Sequence, residues 1–159
     1  MKVFNNRNII KAKRKFFLYL ARILPVGGYY RSRIVRQGGV NIEDCCWIGR
    51  NVTIDNVAPE LITIKRNAVI AEGTMILTHY FVPHKANLHQ RKFEKGKIVI
   101  GEGVFIGCNT IICKPVAIGK GSVVGAGSVV TKDIPDYQVW AGNPAKFIKK
   151  RKTENRVFK

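Results

Sequence analysis

The stretch of sequence that decides the fold covers residues 100–135 and reads IGEGVF IGCNTI ICKPVA IGKGSV VGAGSV VTKDIP. Each block of six opens with isoleucine or valine, and a small or β-branched residue usually stands in the fifth place. A period of six fits neither an amphipathic helix nor an alternating strand, but it is typical of a solenoid with one short strand and one corner per block. We therefore predict that the first and fifth positions point into a common core.

The fourth place of these blocks holds residues that tolerate a left-handed backbone. Gly103, Gly121 and Gly127 stand there, and Asn109 takes the same place in the second block. Such residues reach positive φ at low cost, as a tight corner requires. The ladder of first positions extends upstream, with a bulge at residues 55–60 and a longer excursion at residues 78–97; its upstream members are Ile42, Ile48, Ile54, Ile64, Ile70 and Ile76.

Length and charge limit the organisation and the partners. With 159 residues, the chain is expected to form a single domain, 1–159. Its net charge of +18 favours anionic partners, such as CoA phosphates, a nucleotide sugar, an anionic glycan or a membrane surface. The sequence contains no helix-turn-helix, zinc-finger or aromatic RNA-binding signature, so we expect no nucleic-acid partner.

Cysteine usage and hydropathy bear on the compartment. The four cysteines form no C-x-x-C pair, which favours reduced thiols and a cytoplasmic location. The apolar run over residues 16–24 is short, is broken by Arg22 and is followed by no signal-peptidase site. We therefore predict neither a transmembrane helix nor a signal peptide.

The first 40 residues are expected to form a basic helical cap. Residues 5–24 predict an amphipathic helix, which Pro25 and the Gly27-Gly28 pair end. This helix could pack on the first coil and cover its strand edges, or it could lie on an anionic membrane at the inner face. The basic tail from Phe147 to Lys159 is expected to form a short C-terminal helix with a loose end.

The hexapeptide ladder resembles the hexapeptide-repeat acyltransferases, whose fold is a left-handed parallel β-helix. The resemblance implies an all-β solenoid over residues 41–135, with the excursion loop at 78–97 and a CoA-binding loop and basic tail at 136–159. Residues 125–135 and 141–146 are similar to the CoA-binding end of galactoside and maltose O-acetyltransferases, and the basic N-terminal helix resembles acetyltransferases of surface polysaccharide assembly. The implied protein is a homotrimer that transfers acetyl from acetyl-CoA directly to a carbohydrate hydroxyl, on a surface polysaccharide or its precursor.

The excursion contains all three histidines of the chain. In the family, a histidine at the start of such an excursion is the general base, a task that suits an imidazole because its ordinary pKa lies near neutral pH. By position His79 is the implied base, since it closely follows the ladder residue Ile76. His84 is the runner-up, and His89 is the weakest candidate.

The resemblance also implies binding residues. Carried over by position, Cys108 and Ala126 would line the channel of the pantetheine arm, and Asp55 and Asn56 are weaker candidates for acceptor contacts. Alternatively, the glycine-rich corners and the lysines of this region serve only as turns and surface charge. The remaining implied contacts, to the outer part of the cofactor and its nucleotide phosphates, are Thr131, Lys132, Lys146 and Lys149.

Two other functions remain open at this level. The γ-class carbonic anhydrases share the solenoid and bind zinc through histidines, so His79, His84 and His89 could form a zinc site. The chain could also be a non-catalytic basic scaffold that binds an anionic glycan or a membrane. For the acetyltransferase we expect acetyl-CoA as co-substrate and no metal.

Overall fold

The structure is a computed structural model that describes residues 6–82 and 92–152. Two helices, α1 (Asn6–Ile23) and α2 (Gly28–Gln37), precede the strands, and a short 3-10 helix covers Pro59–Leu61. The strands are β1 (Asn41–Ile42), β2 (Trp47–Ile48), β3 (Thr53–Ile54), β4 (Ile62–Ile64), β5 (Val69–Ile70), β6 (Met75–Ile76), β7 (His79–Val82), β8 (Lys92–Lys95), β9 (Ile98–Ile100), β10 (Phe105–Ile106), β11 (Ile111–Ile112), β12 (Val116–Ile118), β13 (Val123–Val124), β14 (Val129–Val130), β15 (Gln138–Ala141) and β16 (Lys146–Lys150).

Most of these strands belong to three parallel sheets. Sheet A contains β1, β4, β9 and β12, sheet B contains β2, β5, β10, β13 and β15, and sheet C contains β3, β6, β11 and β14. Successive strands visit A, B and C in turn, so three strands make one coil, and each coil stacks on the next. The register aligns the ladder, because Ile64 pairs with Ile42 on one side and with Ile100 on the other. The predicted stacking of short parallel strands is confirmed.

The first and fifth positions form the core, as predicted. Every first-position residue from Ile42 to Val130 that the sequence identifies is buried, and each such side chain contributes about 1.5–3 kcal/mol. The buried hydroxyls at fifth positions are paired: Thr110 donates to the Gly107 carbonyl at 2.8 Å and Ser128 donates to the Gly125 carbonyl at 2.6 Å. Pairing of this kind lets small polar residues occupy a buried corner without an unsatisfied hydroxyl.

The corners have the backbone that the fourth position predicts. The φ angles of Gly103, Asn109 and Gly127 are 63°, 56° and 67°. The pattern extends into the first two coils, where Asn51 and Asn67 have φ of 54° and 58°. A substitution with a β-branched residue at these corners would therefore strain the backbone.

The N-terminal cap contains two helices, where the sequence predicts one. The Gly27-Gly28 pair does separate them, but Gly28 also begins α2. A Cβ atom on Gly28 would lie 2.3 Å from Nε1 of Trp47, so the indole packs directly against the start of α2. Trp47 of β2 thus packs on the N-terminal cap, with α2 as its partner.

The C-terminal part differs from the prediction in two ways. The solenoid was expected to end at Pro135, but β15 pairs with β13 and extends sheet B by a strand. The expected short C-terminal helix is wrong over residues 147–150, which belong to β16, antiparallel to β15, and residues 153–159 of that tail lie outside the described residues. The physical reason is that β15 would otherwise leave an unpaired edge, and residues 146–150 supply its hydrogen-bond partners.

The excursion at 78–97 begins and ends as a hairpin arm. Strands β7 and β8 are antiparallel, with His79 opposite Lys95 and Phe81 opposite Phe93. Residues 83–91, which include His84 and His89, lie outside the described residues. Within the described residues, neither helix has the length and hydropathy that a bilayer-spanning segment requires.

Candidate active site

His79 and Asp55 meet at one corner of the solenoid. His79 begins β7, where the chain leaves sheet C after β6, and Asp55 follows β3 in the preceding coil. Because β3 and β6 pair in register, the two side chains lie at the same corner although 24 positions separate them. Nδ1 of His79 is 2.7 Å from Oδ2 of Asp55, and the histidine side chain is 30% exposed.

The Asp55 carboxylate is buried and held from several sides. Its side chain is 1% exposed. Oδ1 accepts a hydrogen bond from the Val57 amide at 2.8 Å, and Oδ2 accepts one from the Thr78 amide at 2.9 Å. The Thr78 hydroxyl also donates to Oδ2. These donors fix the carboxylate, and the carboxylate in turn fixes the imidazole ring.

Asp55 is held in its ionised form. Burial acts to raise the pKa of this carboxyl group, but hydrogen bonds from Thr78, His79 and Val57 outweigh it, so the pKa of Asp55 lies below its ordinary value. An ionised carboxylate only accepts hydrogen bonds, so Nδ1 of His79 must carry the proton. In the neutral imidazole this leaves Nε2 as the nitrogen that can accept a proton.

The hairpin arm borders the histidine. The ring of Phe93 lies 6.1 Å from the ring of His79, measured between centroids, and its side chain is exposed. Across the arm, the Tyr80 hydroxyl donates to a carboxylate oxygen of Glu94 at 2.8 Å. The open side of His79 is therefore bordered by an aromatic ring and by the basic Lys95 of the opposite strand.

The two predicted acceptor residues, Asp55 and Asn56, differ in their exposure. Asp55 is buried, so its carboxylate is not open to an acceptor molecule, and the expectation of direct contact fails on accessibility. Asn56 is exposed and lines a cavity of about 150 Å³ together with Lys15 and Tyr19 of α1.

Two of the predicted cofactor residues form one stack. Cys108 and Ala126 occupy the corner between sheets B and C in adjacent coils, and both are exposed. The Gly127 amide donates to the Cys108 carbonyl at 2.8 Å, which places the two corners directly on top of each other. The side chain of Ala126 is only a methyl group, so it projects little from the surface of this corner.

Three further predicted cofactor residues share a cavity at the end of β14. Thr131, Lys132 and Lys146 line a mainly apolar space of about 230 Å³, with Trp140 among its walls. Lys149 lies farther along β16, and the structure does not bring it into this cavity. Five of the six predicted cofactor residues therefore fall into two groups in the last coils, one at the corner of Cys108 and Ala126 and one at the cavity of Thr131, Lys132 and Lys146.

Candidate metal ligands are sparse in the described residues. Within 6–82 and 92–152 no group of three histidine, cysteine or acidic side chains is placed to hold a metal ion. The zinc site considered from the sequence depends on His84 and His89, which lie outside these residues.

Sequence reasoning missed the role of Thr78 and gave Asp55 another role. A usable signal was present, because Asp55 follows the ladder residue Ile54 at the corner that carries the excursion one coil later. An acidic residue at a solenoid corner next to a candidate base could have been read as its partner.

The ladder matches a known family. Residues 97–132 match the family described as "Bacterial transferase hexapeptide (six repeats)". "Putative acetyltransferase YvoF" of Bacillus subtilis (strain 168) is 40% identical over 94 residues, which are 59% of this chain and 51% of that protein. The chain spans about half or less of the length of the curated relatives it matches.

Solved structures agree with this match over most of the chain. A maltose O-acetyltransferase from Clostridium difficile 630 has a TM-score of 0.69 and 26% identity, covering 91% of this chain and 89% of that one. Residues 97–132 of this chain thus match the bacterial transferase hexapeptide model, and the fold around them is similar to that of an acetyltransferase. A galactoside acetyltransferase in complex with coenzyme A has a TM-score of 0.71 at 24% identity, over 96% of this chain and 86% of that one, and it supports the fold.

Proposed function

We propose that this hexapeptide-repeat protein transfers acetyl from acetyl-CoA to a carbohydrate hydroxyl, with His79 as the general base. The observation that carries the proposal is the 2.7 Å pair between His79 Nδ1 and the buried, ionised Asp55. A carboxylate in that place sets the tautomer of the imidazole and stabilises the imidazolium that forms during proton transfer. The likeness to a maltose O-acetyltransferase supports a sugar acceptor.

In the proposed reaction, the acetyl group passes directly from CoA to the acceptor oxygen through a tetrahedral intermediate. Nε2 of His79 takes the proton of the acceptor hydroxyl as its oxygen attacks the thioester carbon. When the tetrahedral intermediate collapses, the carbon–sulfur bond breaks and the imidazolium returns its proton to the departing CoA thiolate. Atoms and charge balance without a covalent enzyme intermediate, and Asp55 stays ionised throughout.

CoA is proposed to lie along the outer surface of sheet C. The pantetheine arm would pass the small corner at Cys108 and Ala126. Thr131 and Lys132 would contact the cofactor farther out, and the Lys146 ammonium would meet its nucleotide phosphates. Lysines suit this task because they are compact cationic partners for phosphate, although they lack the bidentate geometry of arginine. The proposal includes Lys149 as an outer phosphate contact.

The assembly proposed is a homotrimer of left-handed coils, and the acceptor proposed is a surface polysaccharide or its precursor. In such a trimer the His79 corner of one chain faces cofactor bound partly by its neighbour. The basic charge of the chain fits an anionic cofactor and an anionic acceptor.

Calorimetric titration of CoA and acetyl-CoA into the full chain tests the cofactor, with Lys146→Glu as the weakened variant and Lys65→Glu, an exposed lysine on another corner, as the matched control. We expect micromolar binding that Lys146→Glu lowers at least tenfold and the control leaves within twofold. Absence of binding to the unmodified chain would refute acyl transfer from CoA.

Release of free CoA thiol, measured with a panel of sugars and oligosaccharides, tests the reaction itself. We expect His79→Ala to lose at least 100-fold in turnover while still binding CoA, since general bases contribute about 10²–10⁴-fold. If His79→Ala kept nearly the full rate and His84→Ala did not, the base would be His84.

A further inference from the structure

Helix α1 has two apolar sides, and one of them is uncovered. The inner side packs on α2 and the first coil, where Leu18 and Ala21 are buried. The outer side carries Ile9, Phe16, Tyr19 and Ile23, whose side chains are 50–63% exposed. Their spacing of seven, three and four residues aligns them in one stripe along the helix. We refer to these four residues as the outer stripe.

The border of the outer stripe is basic. Helix α1 reads NRNIIKAKRKFFLYLARI and contains no acidic residue. Lys11, Lys15 and Arg22, separated by four and seven residues, are exposed and run along one side of the stripe. Arg14 differs, because it points toward the solenoid and pairs with Glu60 at 3.0 Å. Lys15 and Arg22, with Tyr19 of the stripe, also line the cavity of about 150 Å³ between α1 and the first coil, so this basic border lies where the stripe meets the solenoid.

The helix is anchored so that this side stays outward. The buried Arg31 donates to the carbonyls of Ala21 and Leu24 at the end of α1 and to the Ile48 carbonyl of the solenoid, at 2.8, 3.0 and 2.9 Å. These bonds fix the rotation of α1 about its own axis. The outer stripe therefore cannot turn inward to escape water.

The start of α2 carries two further exposed aromatic side chains. Tyr29 and Tyr30 are 61% and 65% exposed and follow α1 closely in the chain. Tyrosine is enriched at membrane–water interfaces because its ring is apolar and its hydroxyl is polar. An apolar stripe with a basic border matches the surface of a helix that lies in the headgroup region of a bilayer.

We propose that the outer stripe of α1, with Lys11, Lys15 and Arg22, docks this protein on the surface of an anionic phospholipid bilayer. The helix lies in the plane of the membrane over its length of about 27 Å. The stripe enters the boundary between headgroups and acyl chains, while the bordering cations face anionic headgroups. This proposal is independent of the acetyl transfer proposed above.

Sedimentation of the full chain with lipid vesicles tests the docking, using phosphatidylcholine alone and phosphatidylcholine with one quarter phosphatidylglycerol. We expect binding to the anionic vesicles and at least tenfold weaker binding to the neutral ones. Lys11→Glu/Lys15→Glu should weaken anionic binding at least 20-fold, since each cation near the surface is worth about fivefold. The matched charge control, Lys65→Glu/Lys97→Glu on exposed corners of later coils, should change binding less than threefold.

The apolar variant distinguishes a bilayer from a soluble polyanion. Phe16→Ser/Ile23→Ser keeps the charge of the chain and should weaken vesicle binding at least tenfold with an unchanged melting temperature. If this variant bound anionic vesicles as tightly as the unmodified chain, the contact would be electrostatic only and the proposal would be wrong. If instead the variant altered the oligomeric state and the unmodified chain bound no vesicles, the stripe would be an interface with a second copy.

Discussion

The replacement Asp55→Asn tests the reasoning about the site most directly, because it removes one charge and changes almost no volume. The carboxylate accepts hydrogen bonds from the Val57 amide, the Thr78 amide, the Thr78 hydroxyl and His79 Nδ1. An asparagine offers one acceptor oxygen and one NH₂ group. Whichever way the amide turns, its NH₂ group faces a backbone N–H that has lost its acceptor.

The magnitudes follow from these contacts. One buried donor left unpaired costs about 1–3 kcal/mol, so we expect the free energy of unfolding to fall by that amount. If the NH₂ group faces Nδ1, His79 must switch tautomer and place its proton on Nε2, where the base is needed. In either orientation the imidazolium loses its counter-charge, and we expect turnover to fall by about 10²–10⁴-fold.

The assay is release of CoA thiol with a productive sugar, together with calorimetry of CoA and chemical denaturation. CoA affinity should stay within about threefold, because Asp55 is not part of the proposed cofactor surface. Asp136→Asn is the matched control, since its exposed carboxylate also accepts a hydrogen bond from a backbone amide, that of Lys120 at 2.7 Å. We expect the control to keep its full rate.

The double variant Asp55→Asn/His79→Ala sharpens the test. If Asp55 acts through His79, the double variant should be no slower than His79→Ala alone, because residues that act as a unit are not additive. A rate for Asp55→Asn within threefold of the unmodified chain would refute the orienting role of this carboxylate.

Three further predictions concern stability. Arg31→Met should lower the free energy of unfolding by about 3–5 kcal/mol in denaturant titrations, because buried carbonyls lose their cationic donor. The control Arg33→Met, on the exposed side of α2, should lower it by under about 0.5 kcal/mol. Equal effects of the two substitutions would contradict the anchoring role of Arg31. Because the folded-state pKa of Asp55 is depressed, its ionised form contributes stability above the ordinary aspartate pKa, and this contribution is lost as the pH falls through the folded-state value. The difference in unfolding free energy between the unmodified chain and Asp55→Asn should therefore shrink on acidification. A difference that does not change with pH would contradict the depressed pKa. Gly28→Ala should lower the melting temperature because its Cβ would clash with the indole of Trp47, at a cost of about 1–3 kcal/mol. Gly27→Ala should be tolerated, since its Cβ would meet its nearest neighbour at 3.9 Å. Equal melting temperatures of the two variants would mean that the indole moves freely.

Much of the scaffold could be predicted because its rules are local. A buried isoleucine every six residues and a glycine or asparagine at each corner act within one block, so Gly103 and Asn109 could be assigned their backbone from the sequence. The hairpin arm and β16 could not be predicted from the sequence, since each of these strands forms only because a particular partner strand lies beside it. The pairing of β16 depends on the open edge of β15, which exists only once the coils have stacked.

Side-chain roles were harder to predict than backbone. In the sequence Arg31 is one of several cations after the first helix, and basic composition alone suggests a solvated charge. The fold buries it to 2% exposure and surrounds it with carbonyl groups from the end of α1 and from β2. Composition cannot distinguish such an arginine from an exposed one, because burial depends on how helices and coils pack.

The sequence by itself determined the stacked coils, the core ladder and the corner residues, because each of these follows from spacing within the repeat, while the choice of His79 as a candidate base came from the family resemblance. Only the tertiary structure decided that Asp55 orients toward His79, that Lys146 shares a cavity with Thr131 and Lys132, and that one apolar side of α1 stays open. The physical reason is that these features join residues from different coils and helices, and their distances are set only when the coils stack in register.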